Sequence, residues 1–210
     1  MTLQESKKTG LLRLRHLMEL TEAAEEEMVD ERDRIKRLKN REPVKAISSF
    51  NLFQTPLVIA DLMADRLGDV QGKRVLEPSA GLGRLVAAVD VADGEFILVE
   101  KSVACCEQLY GSGWKIIQDD FLECDADRLG GLFDACIMNP PFKMGRDVKH
   151  IEHAYGMLKT GGLLVGLCYD GVRQKKRLMP QVDTWELLPE GSFKSEGTGA
   201  GVVLITWRKR

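Results

Sequence analysis

The sequence predicts one doubly wound α/β domain behind a charged helical arm, and three observations carry that expectation. From residue 74 onward short apolar runs alternate with helical stretches. Several of those runs are almost continuously apolar, as strands are when helices cover both faces of a parallel sheet. The 210 residues suffice for one well-buried core and an accessory segment, and fall short of two complete domains.

Taken in order, residues 11–41 are rich in helix formers and charge and lack proline and glycine, so they read as one helix that Pro43 ends. Leu14, Leu17, Ala24, Met28, Ile35 and Leu38 follow a heptad that Thr21 and Glu31 interrupt. Asp30 with Arg34, and Asp33 with Arg37, support its solvated face. Residues 1–48 are therefore expected to form an arm ahead of a domain spanning 49–210, either laid on the core or used for dimerisation, a partner subunit or gripping substrate. Next, Phe53-Gln54-Thr55-Pro56 precedes an apolar helix ending near Gly68, with Thr55 as its N-cap and Pro56 in the first helical position. A helix start is also an anion site, and the carboxylate of an amino acid is such an anion. Strands are expected at 74–77, 96–100, 115–119, 133–138, 163–168 and 202–207. Residues 185–188 and 202–207, across a glycine-rich loop, read as an antiparallel hairpin closing a seven-stranded, mostly parallel sheet.

Composition narrows the setting. A net charge of −2 leaves no global basic field, so any nucleic-acid contact must be local. Cys105, Cys106, Cys124, Cys136 and Cys168 show no Cys-x-x-Cys pairing, and Cys136 and Cys168 lie in apolar runs, which fits a reducing cytoplasm. The sequence shows neither a cleavable signal nor a membrane-length apolar run. His150 and His153 stand three apart with no third ligand, so no metal site is expected.

Two turns carry chemistry. After the strand at 133–138 comes Asn139-Pro140-Pro141-Phe142, where an amide oxygen and a proline carbonyl stand side by side on a backbone with no proline N–H. Such a site accepts hydrogen bonds and suits a planar NH2 group, and Phe142 adds a flat face for a ring. After the strand at 74–77 comes Glu77-Pro78-Ser79-Ala80-Gly81-Leu82-Gly83, a tight turn into a helix whose glycines admit close approach of a ligand. Val86 replaces the third glycine of a dinucleotide fingerprint, and Glu77 would repel a pyrophosphate but attract an ammonium. The implied ligand is a nucleoside with a cationic amino-acid tail, which S-adenosylmethionine satisfies better than NAD or ATP. Glu100 ends the second strand where ribose hydroxyls would sit. Asp119-Asp120-Phe121 ends the third with a carboxylate for an adenine amino group and a ring for its face. Asp120 is preferred for that contact, although either aspartate can instead cap the next turn.

These residues resemble the class I S-adenosylmethionine-dependent methyltransferases, and specifically the gamma-type enzymes that modify adenine N6. The likeness covers residues 50–210 in the order Phe-x-Thr-Pro, glycine-rich turn, Asn-Pro-Pro-Phe. It implies a Rossmann-like fold, Phe53, Thr55 and Pro56 beside the cofactor, and Glu77 at its methionine amino group. Ser79, Ala80, Gly81 and Gly83 would form the cofactor turn, with Glu100 on ribose and Asp120 and Phe121 on adenine. Asn139 and the Pro140 carbonyl would hold the target amine, Pro141 would stiffen the motif, and Phe142 would stack on the target ring. Phe193 matches the family's second stacking aromatic in placement and reads equally as a core residue.

The preferred substrate is adenine in DNA, flipped or single-stranded, with RNA adenine next and protein glutamine or a non-catalytic subunit after it. Lys143, Arg146, Lys149, Arg173, Lys175, Lys176 and Arg177 lie in a locally basic stretch and are candidate phosphate contacts or, alternatively, solvated loop charge. Gamma-type enzymes usually carry a separate target-recognition domain, whereas this chain ends at Arg210, so the expected specificity is low or unknown: methylation with little context, recognition by the N-terminal arm and short loops, or reliance on a partner.

Overall fold

A computed structural model describes residues 54–89, 94–110, 114–194 and 201–210. The chain divides into two units, Met1–Ser49 and Phe50–Arg210, and every described residue belongs to the second. The expected helical arm and Phe53 lie outside the described residues.

Within that unit the elements are α1 (Leu57–Leu67), β1 (Arg74–Glu77), α2 (Arg84–Ala88), β2 (Glu95–Glu100), α3 (Val103–Leu109), β3 (Lys115–Gln118), β4 (Phe133–Met138), α4 (Arg146–Gly156), β5 (Leu158–Tyr169), α5 (Val172–Arg177), β6 (Thr184–Leu187) and β7 (Val202–Arg208). The strands form one seven-stranded sheet ordered β3-β2-β1-β4-β5-β7-β6. Pairings from β3 through β5 are parallel, and β7 runs antiparallel to both β5 and β6. This is the expected mostly parallel α/β sheet with a closing hairpin. The order reverses at β1 and β4, so the carboxyl ends of those two strands border the crevice where open α/β sheets bind ligands.

Successive strand residues face opposite sides of the sheet. Leu76, Ile97, Val99, Cys136, Met138 and Leu164 join Val148, Ile151 and Ala154 of α4 in one core cluster. Their alternates Val75, Leu98, Ala135, Ile137 and Val165 are equally buried and face the other way, where α1 packs over β4 and β5 through Ile59, Ala60 and Met63. Covering both faces is what made the strands read as continuous apolar runs. All five cysteines are free and buried, and burial pushes the thiols of Cys136 and Cys168 well up.

Several boundaries differ from expectation, and three are informative. β5 starts five residues early, at Leu158. Its pairing with β4 jumps from Phe133↔Leu158 to Ala135↔Leu163. The glycine pair before residue 163 forms an irregularity inside the strand: Gly161 takes φ 82°, and a Cβ on Gly162 would lie 2.9–3.2 Å from three backbone oxygens. β3 ends at Gln118 rather than Asp119. Pro56, not Thr55, stands at the cap of α1, which has no side-chain cap bond. The Pro56 carbonyl accepts from Ile59 and Ala60 N–H instead.

Candidate active site

The glycine turn and the Asn-Pro-Pro-Phe turn leave the carboxyl ends of β1 and β4, which are hydrogen-bonded neighbours. The sheet therefore brings two motifs more than fifty residues apart in sequence to one crevice.

In the glycine turn the Ala80 N–H reaches across to the Val99 carbonyl at 3.1 Å. Gly81 and Gly83 take φ 55° and 77°, a region costing other L-residues about 1–2 kcal/mol. A Cβ on Gly83 would sit 2.9 Å from Leu109 Cδ2 and 3.0 Å from Trp114 Cζ3. Its close approach is thus to protein, while Gly81 remains partly accessible. Ser79 Oγ donates to the Pro78 carbonyl at 2.7 Å.

Two carboxylates frame this turn from different depths. Glu77 is 1% exposed and accepts the Val86 N–H at 3.1 Å, beneath the start of α2. Burial raises its pKa well above the usual carboxylate range; the Val86 bond opposes this, and the Glu100 charge adds to it. Glu100 braces the turn itself, accepting Gly81 N–H at 2.8 Å and Ser102 N–H at 2.7 Å.

At the end of β3, Asp120 caps a single 3-10 turn over Phe121–Glu123 by accepting the Leu122 N–H. The same carboxylate pairs with Lys101 at 2.8 Å and Arg146 at 3.1 Å. Asp119 pairs with Arg128 and accepts the Asp120 N–H. Of the two aspartates considered for capping, Asp120 does it. The Lys101 hydrogen bond is the largest cause holding the Asp120 carboxyl at about 2. Because its pKa is lower in the folded state than when unfolded, the pairing stabilises the fold above about pH 4 and is lost as pH falls through the folded value. With Lys101 mostly solvated, Asp120→Asn, which keeps an acceptor for Leu122, is expected to cost about 1 kcal/mol at pH 7. Urea midpoints should converge with wild type toward pH 2; an equal loss at both pH values would contradict this account.

Several expected contacts take other places. Phe121 does not offer an open face: it is 2% exposed and packs on His150 and His153, with centroids 5.6 and 4.8 Å away, because the 3-10 turn directs it inward. Phe193 is likewise 2% exposed, which places it in the core in this conformation. Arg146, expected on phosphate, is committed to Asp120. Arg177 clasps Glu152 through both carboxylate oxygens, and Lys175 pairs with Asp170. Lys143, Lys149 and Lys176 are exposed. His150 is buried and kept neutral, its pKa lowered to about 4 chiefly by burial and next by Arg146. Among the described residues no group of three His, Cys, Asp or Glu side chains could hold a metal.

The acceptor motif and the loop after it are each bonded to a side chain from elsewhere in the fold. Asn139 Nδ2 donates to Thr55 Oγ1 at 3.1 Å. Pro140 is buried, and Phe142 is half-buried at the mouth. Beyond it, Met144 takes φ 58° and is 91% exposed. Arg173 Nη1 donates to the Met144 carbonyl at 2.8 Å, and its guanidinium covers Gly145, where a Cβ would collide with it. Arg173 thus braces the acceptor loop. Sequence reading missed Asp147, which is fully buried and accepts from Gln174 Nε2 and Tyr169 N–H. It ties α4, β5 and α5 together beneath that loop. An aspartate in a first helical turn reads as dipole compensation, and no local signal marks it as a buried brace.

No family model matches the sequence, and no curated protein matches it. Solved structures do match, several of them described as methyltransferases. A type I restriction-modification methyltransferase subunit from Streptococcus thermophilus matches with TM-score 0.63 at 20% identity, over 76% of this chain and 45% of that one. TrmN from Thermus thermophilus matches with TM-score 0.57 at 17% identity, over 73% and 49%. A putative RNA methyltransferase from Pyrococcus horikoshii matches with TM-score 0.56 at 18% identity, over 80% and 89%. What they share with this chain is the Rossmann-like α/β fold, and the chain spans just under half the length of the first two proteins. Among the described residues no helix is long and apolar enough to cross a membrane.

Proposed function

We propose that this chain transfers a methyl group from S-adenosylmethionine to the exocyclic N6 amine of adenine in DNA. The observation that carries the reading is the juxtaposition at the switch point: an Asn-Pro-Pro-Phe turn with its amide held by Thr55, beside a glycine turn framed by Glu77 and Glu100.

The residues present fit the cofactor. Buried Glu77 accepts a backbone N–H from Val86, and an ammonium would offset its desolvation. Glu100 already orders Gly81, so a ribose bound to it would be set against the turn. Asp120, two residues beyond β3, would offer the adenine amino group a carboxylate that also pairs with Lys101 and Arg146. When bound, S-adenosylmethionine supplies an electrophilic methyl group and a neutral leaving group.

The chain's own contribution is positioning. An aromatic amine is a weak nucleophile because its lone pair is delocalised into the ring. The Asn139 amide oxygen and the Pro140 carbonyl accept its two hydrogens and favour a more pyramidal nitrogen, while Phe142 stacks on the ring. Stacking, typically about 1–3 kcal/mol per base, offsets part of the cost of flipping. Exposed Lys143, Lys149 and Lys176 are proposed to meet phosphate; the N-terminal arm is proposed to contact nucleic acid or a second subunit.

The test is incubation with tritiated S-adenosylmethionine and, separately, DNA, RNA and cell-extract protein, followed by mass spectrometry of the modified nucleoside or residue. N6-methyladenine in DNA is the expected product. Label in RNA alone would move the substrate, and label in protein alone would overturn the nucleic-acid reading.

A further inference from the structure

We propose that Thr55 is a positioning residue for methyl transfer, acting through Asn139; this rests on the amine-methylating reading above. Its hydroxyl oxygen accepts from Asn139 Nδ2 at 3.1 Å across 84 residues of sequence. Its carbonyl accepts from Arg84 Nη1 at 3.1 Å, and Arg84 opens the helix that leaves the glycine turn. Thr55 is buried and caps nothing. One residue therefore connects the cofactor-side helix to the acceptor amide.

The chemistry explains why this bond matters. An asparagine side chain carries a donor end and an acceptor end of nearly the same shape. Only the oxygen can take a hydrogen from an incoming NH2; the nitrogen turned toward that amine would set donors against donors. Engaging the nitrogen with the Thr55 oxygen assigns the ends of the amide before substrate arrives. A branched Cβ leaves threonine few χ1 choices, and the Arg84 bond and Pro56 restrain its backbone, so the hydroxyl is a fixed anchor. A misplacement of about 1 Å at a reacting group costs on the order of 100-fold in rate.

Thr55→Val keeps the shape and removes the acceptor, whereas Thr55→Ser keeps the acceptor. With DNA or RNA, whichever the labelling assay selects, and saturating S-adenosylmethionine, the valine variant is expected to lose about 10- to 100-fold in kcat. The loss should persist at saturating S-adenosylmethionine, which separates it from any effect of Thr55 on cofactor affinity. The serine variant should recover most of the rate. Thr55→Ala, with its urea midpoint, serves the same comparison if valine disturbs folding. Single-turnover rates in the Asn139→Ala background should show no further loss from Thr55→Val, because both changes remove one shared contact.

Wild-type kcat in both the valine and alanine variants would overturn the proposal. So would a weakened Kd whose rate is restored at saturating cofactor, which would make Thr55 a cofactor contact, or an additive loss on Asn139→Ala. A wild-type protein that binds S-adenosylmethionine yet methylates no adenine amine would overturn the underlying reading, and this proposal with it.

Discussion

Replacing Asn139 by alanine is expected to lower the methyl-transfer rate by about two to three orders of magnitude, the usual loss when one preorganised polar group at a reacting centre is removed. The substitution deletes an acceptor for the target amine and leaves the Pro140 carbonyl unable to hold both hydrogens. It also strands the Thr55 hydroxyl, which loses its Nδ2 partner. Asn139 lies at the end of β4 and outside the glycine turn, so S-adenosylmethionine affinity should be retained. Single-turnover tritium transfer and calorimetric titration measure the two quantities separately. Wild-type turnover would remove the assignment, and a parallel collapse of cofactor affinity would move Asn139 to the other side of the crevice.

Glu100→Ala should have its large effect on binding instead. Its carboxylate accepts the N–H groups of Gly81 and Ser102, and each charged hydrogen bond of this kind is worth about 1.5–3 kcal/mol. Removing it releases the glycine turn, takes away the proposed ribose acceptor and eliminates a negative charge that raises the pKa of Glu77. The Kd for S-adenosylhomocysteine is expected to rise about 100-fold, or roughly 2.7 kcal/mol. Rate at saturating cofactor should recover far more than in Asn139→Ala. A Kd within threefold of wild type would show that the turn is ordered without Glu100.

Much of the architecture was legible because its signals are local. A strand buried on both faces declares itself by composition alone, and β1 and β4 appear where the apolar runs stand. Glu77, Glu100 and Asn139 were found as residues at strand ends, the place where a parallel sheet presents side chains to a ligand. Bonds spanning the fold were not legible. Thr55 looked like a helix cap because a threonine before a proline usually is one, and only the return of β4 beside α1 supplies its Asn139 partner. Arg146, Lys175 and Arg177 looked available for phosphate. Their carboxylate partners lie from five to twenty-six residues away, and sequence spacing does not announce those pairings. Phe121 shows the same limit, since the direction of an aromatic side chain depends on a 3-10 turn set by Asp120.

By itself the sequence determined the class of fold and the order of its strands along the chain, and it supplied the acceptor chemistry proposed for Asn139-Pro140-Pro141-Phe142. Those properties reside in hydrophobic period, in glycine and proline stereochemistry and in the functional groups of four adjacent residues. The tertiary structure decided how that chemistry is aimed. It set the β1–β4 adjacency that joins the two turns, the Thr55 bond that engages one end of the Asn139 amide, and the pairings that commit Arg146 to Asp120 and Arg177 to Glu152. The physical reason is that orientation and charge availability are pairwise properties, fixed only when the sheet brings distant residues within hydrogen-bonding distance.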